Sequence, residues 1–263
     1  MPKHRGIALL QANHPKAKAQ ADAIIKAIFD SGIKIPIVNF LVDGTFGYDF
    51  PRMMEYGQTL TKDGRKPIFE FYLLNGPAQR KNRWHYTDGF MARVSPAKFE
   101  KLLLTDKATQ DKIADFFAGF AILFEYLNTI GATVYVCPML EDNLSRKGFN
   151  KLLSISKLVL PDSVKYVRNP SSKDKTIPKG VLRETHNTSS IPAGAFITND
   201  GDSLSFSSAL SRAKKAKSKN SAFIWWNAKR QGSGHNPPIP TWKRKYPVPT
   251  KSEIKEMIKF LKG

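Results

Sequence analysis

The chain has a single cysteine, Cys137, among 263 residues. One thiol excludes an internal disulfide framework and any cysteine-based zinc site, and its place within an apolar run makes it a core residue. No apolar stretch approaches the roughly 20 residues that a membrane-spanning helix needs. The opening residues, MPKHRGIALLQANHP, carry basic side chains before an apolar run too short for a secretory leader. Cytoplasmic synthesis without a signal peptide is therefore expected. Internal repeats and long low-complexity segments are missing. So are a phosphate-loop motif, a strand-linked GxGxxG, an HExxH and a GxSxG elbow. The five histidines, His4, His14, His85, His186 and His235, are not set at ligand spacing, and neither a metal nor a cofactor is expected. Acidic residues are the scarce charge. Lys plus Arg is 42 against 22 for Asp plus Glu, a formal net charge of +20. A surplus of that size calls for an anionic partner: nucleic acid, lipid headgroups or an acidic polymer.

What the chain does contain is a series of eight short apolar runs, nearly all closing on an amide or an acid. They end at Asn13, Asp43, Asn75, Asn143, Asn169, Asn187, Asp200 and Asn227. Continuous β-rich runs suit strands buried on both faces, as in a parallel sheet. Eight of them predict a (β/α)8 barrel, whose active site lies at the carboxyl ends of the strands. Asn and Asp also favour turns and helix N-caps, so βα junctions collect them without any functional demand.

Pro15 to Ser31 reads as a helix with an apolar stripe of Ala21, Ile24, Ile25 and Ile28, stopped at Gly32. Pro96 to Ile130 reads as two helices, the second strongly apolar. Arg146 to Leu158 and Leu204 to Lys219 follow as amphipathic helices, and Glu253 to Leu261 closes the chain. One domain over 1–263 is expected, with elaborated loops at 76–95 and 232–249. Only about ten residues separate the fifth run from the sixth, and fewer separate the sixth from the seventh. A full crossover takes about 10–12 residues including its helix. Either the helices after strands five and six are reduced to loops or two strands are misassigned.

The leading candidate for chemistry is Glu141, in MLEDN at the end of run four, where partial burial would suit a general acid. Glu184, in LRETHN of run six, offers a second carboxylate as nucleophile or base, and Asp200 a third. By strand alternation Glu184 shares a face with Leu182 and His186 while Arg183 points the other way. Paired carboxylates across a rim are what glycosidic cleavage needs, about 5–5.5 Å apart for retention and about 6.5–9.5 Å for inversion. Competing structural roles exist: Glu184 paired with Arg168 or Arg183, Glu141 capping the next helix. Asn13, Asp43, Asn75, Arg80, Trp84, Asn143, Arg168, His186, Trp226 and Asn227 are the candidate substrate-binding residues of the rim. Trp225 and Trp226 alternate, so one should face the barrel mouth and the other the helices. Glu70, in mid-strand, is read as a structural group of the barrel interior.

Through VYVCPMLEDN and VLRETHN the chain resembles the (β/α)8-barrel glycoside hydrolases. The resemblance implies an acid at the end of strand four and a partner carboxylate at strand six or seven. Glu-Asp-Asn stands here in place of those enzymes' usual Asn-Glu-Pro, and no particular hydrolase family matches. The expected function is cleavage of an anionic or cell-wall polysaccharide, a phage-type lysin being one form of it. The alternative is a basic protein that binds or processes nucleic acid.

Overall fold

The computed structural model describes residues 5–10, 17–34, 37–41, 50–61, 68–72, 77–78, 83–84, 96–139, 142–170, 174–186, 191–192, 194–200, 206–225 and 247–263. In chain order the elements are β1 (Arg5–Leu10), α1 (Lys18–Asp30), β2 (Ile37–Leu41), α2 (Phe50–Thr61), β3 (Ile68–Tyr72), β4 (Pro77–Ala78) and β5 (Arg83–Trp84). There follow α3 (Pro96–Thr105), α4 (Lys107–Ala118), α5 (Ala121–Thr129), β6 (Thr133–Cys137), α6 (Arg146–Val159), β7 (Lys165–Arg168) and β8 (Val181–His186). The chain closes with β9 (Ala195–Asp200), α7 (Phe206–Ser218), β10 (Ala222–Trp225) and α8 (Lys251–Lys262). Eight strands form a closed barrel in the order β1, β2, β3, β6, β7, β8, β9, β10. Every pairing in it is parallel, including the closing pair of β10 with β1. The fold is an irregular (β/α)8 barrel. A two-stranded antiparallel hairpin, β4 with β5, lies in the segment after β3.

Strand register separates the two faces of the barrel wall. Ile7 pairs with Val38, and Phe223 with Arg5. Phe223 and Trp225 both meet Phe260 of α8 edge-on, at centroid distances of 5.9 and 5.0 Å. These residues therefore face the helical layer, joined by Val134, Val136 and Tyr166 in one apolar cluster with the helices. Register neighbours in a parallel sheet share a face, so the alternate residues, Tyr135, Val167, Leu182 and Glu184 among them, line the interior. There the rings of Tyr135 and Phe196 meet at 5.2 Å, although their strands are not neighbours.

The helices bury the stripes their sequences supply. In α1 these are Ala21, Ile24, Ile25 and Ile28, and the following Gly32 has φ of +68°, a conformation that side chains with a Cβ rarely adopt. α8 buries Met257, Phe260 and Leu261 behind a capping box of Thr250 and Glu253. The segment 96–130 holds three helices and not two. Asp106 caps α4 by accepting from the Thr109 N–H. Its apolar run then breaks at Gly119–Phe120, where the Phe120 N–H donates to Phe117 three residues back.

Between β7 and β8 the described residues hold no helix, and the same is true between β8 and β9. The first of these crossovers is tied down by strand arginines instead. Arg168 Nη1 donates to the Thr176 carbonyl at 2.6 Å, and Arg183 Nη2 to the Lys175 carbonyl at 3.0 Å. The Thr176 N–H donates to the Asp174 carboxylate at 2.8 Å. A short strapped segment thus covers wall that a helix would otherwise cover. The two strands in question stand, and among the described residues neither short crossover carries a helix.

Candidate functional site

The carboxyl ends of the eight strands define the mouth of the barrel. On β8 one face carries Arg183 and Thr185. Thr185 pairs in register with Thr198, and Thr198 with Phe223, which places that face towards the helices. A buried hydroxyl seam runs there, with Thr185 Oγ1 3.4 Å from Thr198 Oγ1 and Thr198 3.0 Å from Ser221. The opposite face of β8 presents Glu184 to the barrel interior, where it is 1% exposed and in register with Ile197. The β8–β9 ladder shifts register beside it, between Arg183 and Glu184. Bulges of this kind re-aim side chains at barrel rims.

Arg168, expected at the rim, is placed elsewhere. It ends β7 on the outward face, fully buried, with its guanidinium 4.4 Å from the Phe149 ring centroid of α6. Its Nε and Nη2 donate to the Asp142 carboxylate at 3.0 and 2.9 Å, and Nη2 also donates to the Leu144 carbonyl at 2.9 Å. The residue is a clamp in the helical layer, not a ligand contact. Both side chains of the ion pair are at 0% exposure. Burial pushes the Asp142 carboxyl above its ordinary range, against the hydrogen bonds and charge of Arg168 that favour its ionised form. Nor does Glu184 pair with Arg168, since the two occupy opposite faces of the wall.

This clamp shapes the end of β6. Val136 pairs with Tyr166, whereas Asp142 bridges Pro170. The β6 side has therefore gained two residues over the same span of β7. Asp142 is pinned again where its N–H donates to the Asn169 carbonyl at 2.9 Å. From Asp142 the chain enters α6, whose N-cap Ser145 accepts from the Gly148 N–H. Glu100 of α3 in turn accepts from the Ser145 hydroxyl and from its N–H.

Asn169 was not singled out as a binding residue by the sequence. It follows Arg168, whose side chain points outward, and Arg168 pairs with Arg183. Asn169 therefore continues β7 to the position beside Glu184. It is 2% exposed, and its Nδ2 has no hydrogen-bond partner among the described residues. The only hint in the sequence was its place as the last residue of VKYVRN.

Asn143 lies half-buried between Asp142 and Leu144 on the way to α6. His186 ends β8 in register with Asn199, and Asp200 ends β9 in register with Trp225. Trp84 belongs to the small hairpin, and Glu70 pairs in register with Asn39 and Tyr135. Trp225 is the tryptophan that faces the helices, packed between Phe206 and Phe260. Glu141, Asn13, Asp43, Asn75, Arg80, Trp226 and Asn227 lie outside the described residues. Among the described residues no three His, Cys, Asp or Glu converge as a metal site would require, and no helix is long and apolar enough to cross a membrane.

No known sequence family matches the chain, and no curated protein does. Solved structures do match over nearly its whole length. A Cel5A from Thermotoga maritima, solved with mannotriose, aligns over 98% of this chain and 97% of its own, at 9% identity and a TM-score of 0.55. A D-psicose 3-epimerase from Clostridium cellulolyticum H10, solved with D-tagatose, aligns over 98% and 97%, at 10% identity and a TM-score of 0.51. The mannanase man26 of Bacillus subtilis aligns over 85% and 79%, at 16% identity and a TM-score of 0.51. At such identities the likeness is one of fold.

Proposed function

We propose that this barrel is a carbohydrate-active enzyme that cleaves glycosidic bonds of an anionic or cell-wall polysaccharide. The observation that carries the reading is Glu184, a carboxyl group 1% exposed on the interior face at the strand ends. In the proposed step Glu141 gives its proton to the leaving glycosidic oxygen. Glu184 attacks the anomeric carbon or takes a proton from the water that does so. The fold is shared with a mannanase and with enzymes solved with mannotriose and D-tagatose, which favours saccharide ligands over other substrates of comparable polarity. Zymography against peptidoglycan, polygalacturonate and β-mannan tests the activity. Glu184→Gln should abolish clearing at an unchanged melting temperature, and Glu141→Gln likewise. Full turnover by Glu184→Gln would remove this mechanism.

A second reading rests on charge. Lys214, Lys215, Lys217 and Lys219 are exposed on and just after α7, and Lys251, Lys255, Lys259 and Lys262 on α8. The two helices adjoin, with Lys259 Nζ 5.6 Å from the Phe206 ring centroid. Such a face would hold a nucleic acid through its phosphates. Binding to duplex DNA would then weaken steeply and linearly in log–log salt plots. Glu replacements of the α7 lysines would flatten that slope without touching polysaccharide cleavage.

A further inference from the structure

The amide of Asn169 presents a puzzle that packing does not solve. Buried backbone and side-chain donors in folded proteins are nearly always paired, and an unpaired one is a net cost to stability. Asn169 uses its carbonyl oxygen of the main chain to hold the Asp142 N–H at 2.9 Å. Any residue could do that. Its side-chain Nδ2, sequestered from solvent, has no acceptor among the described residues. The neighbouring Arg168, equally buried, makes four side-chain hydrogen bonds, to Asp142, Leu144 and Thr176. The two residues are adjacent in sequence and differ in the face they serve. Arg168, turned towards the helices, is closed off by protein partners, whereas the Asn169 amide has none among the described residues.

We infer that Asn169 is a ligand-binding residue whose Nδ2 donates to a ring-hydroxyl oxygen of a saccharide seated against Glu184. Three observations converge on it. Asn169 occupies the carboxyl end of a barrel strand, where ligands bind in this architecture. It stands one strand over from Glu184, and adjacent strands lie about 4.8 Å apart, a spacing that lets one amide and one carboxylate engage the same sugar ring. Finally, the amide is buried and lacks an acceptor among the described residues, the condition under which a ligand oxygen gains most from the contact. A hydroxyl oxygen fits better than a carboxylate, because Glu184 beside it would repel a second anion. The inference rests on the reading of Glu184 as a saccharide-facing group, and it does not require that glycosidic bonds be broken.

The test uses the full-length protein with Asn169→Leu, which keeps the branched outline and removes the amide, and with Asn169→Ala as a second variant. Mannotriose, chitotetraose and trigalacturonate are titrated calorimetrically into the wild type, into each variant and into Glu184→Gln. The side-chain NH2 signal of Asn169 is followed by 15N NMR in asparagine-labelled wild-type protein. Asn169→Leu should melt at or above the wild-type temperature, since a donor with no partner is replaced by an apolar group. Both variants should bind at least one of the three saccharides about tenfold more weakly, and that saccharide should shift the Asn169 side-chain signal. A clear fall in the melting temperature of Asn169→Leu would show that the amide is a structural bond and overturn the inference. So would unaltered saccharide affinity, an unmoved NH2 signal, or a wild type that binds none of the three. Loss of polysaccharide cleavage alone leaves these readouts intact, so failure of the hydrolase reading is separable from failure of this one.

Discussion

Replacing Arg168 with methionine isolates the clamp behind the barrel wall. Methionine fills similar space but removes both hydrogen bonds to Asp142, the contact with the Leu144 carbonyl and the tie to Thr176. It leaves Asp142 buried at 0% side-chain exposure with its principal cation gone. Breaking a buried pair by deleting one partner costs about 3–5 kcal/mol, most of it the penalty of the stranded charge. At roughly 2.1 cal/mol/K of unfolding entropy per residue, a chain of 263 residues shifts by about 2 °C per kcal/mol, so the melting temperature should fall by about 6–10 °C. The double variant Arg168→Met with Asp142→Leu removes the stranded charge and should recover part of the loss. A coupling energy of at least about 1.5 kcal/mol in the double-mutant cycle is expected from urea denaturation. The pH dependence gives a further sign. Burial raises the Asp142 carboxyl in the folded state, so the native protein binds the extra proton between the unfolded value, about 3.9, and the raised one. Stability from this group therefore falls as pH climbs through that window. Without Arg168 the window should extend further upward. A loss below about 1 kcal/mol for Arg168→Met, or strict additivity of the two single changes, would refute the assignment of Arg168 as the clamp.

Three other perturbations follow from the same geometry. Tyr56→Phe deletes the hydroxyl that donates to Asp22 at 2.6 Å. A chemical denaturation curve should show a loss of about 0.5–1 kcal/mol, the bond being partly exposed. Although burial opposes it, hydrogen bonds from Lys18 and Tyr56 with the charges of Lys18 and Arg52 hold the Asp22 carboxyl below its ordinary range. Its contribution is present above about pH 4 and lost as pH falls, so Tyr56→Phe should flatten the acid limb of stability. Gly148→Ala would set a Cβ 2.6 Å from Glu100 Oε1, driving that carboxylate off the Ser145 cap. The gain of about 1 kcal/mol from replacing a helical glycine should be cancelled in the single variant and recovered in Gly148→Ala with Glu100→Ala, as read from melting temperatures. Thr250→Ala removes the capping box of α8 and should cost about 1 kcal/mol, with faster amide exchange confined to the first turn.

The barrel itself was legible because eight apolar runs with few polar interruptions leave little choice but strands buried on both faces. The same property hid the site. A strand exposed on one side advertises its orientation by alternation, whereas one covered on both sides gives no parity to read. Arg168 and Asn169 illustrate the consequence. Both are polar, both end the run VKYVRN, and the arginine is the more conspicuous, so the sequence pointed to it as the rim contact. Its side chain lies instead among Phe149, Asp142 and Leu144, and the plainer asparagine is the one whose side-chain amide has no partner among the described residues. The short crossovers were legible as reduced, but not what covers the wall there. In the first, strand arginines reach the Lys175 and Thr176 carbonyls, and such ties leave no periodic signal. Asp142 is fixed by Arg168 and by the Asn169 carbonyl, both more than twenty residues further along the chain.

One physical contrast then separates Arg168 from Asn169. Outside the strands, helices seal the surface, and a charge placed there must find its partners in the protein, as Arg168 does with three separate acceptor groups. Inside, at the carboxyl ends, the wall faces the mouth, and a polar group can be left for a ligand to complete. The two classes should respond oppositely to apolar replacement of similar volume. Arg168→Met strands Asp142 and weakens the fold, whereas Asn169→Leu removes an unpaired donor and spares it while binding suffers. Adjacent residues on one strand, given the same kind of substitution, would thus separate stability from recognition. If both changes lowered the melting temperature alike, the division of the wall into a closed outer face and an open inner one would be wrong for this protein.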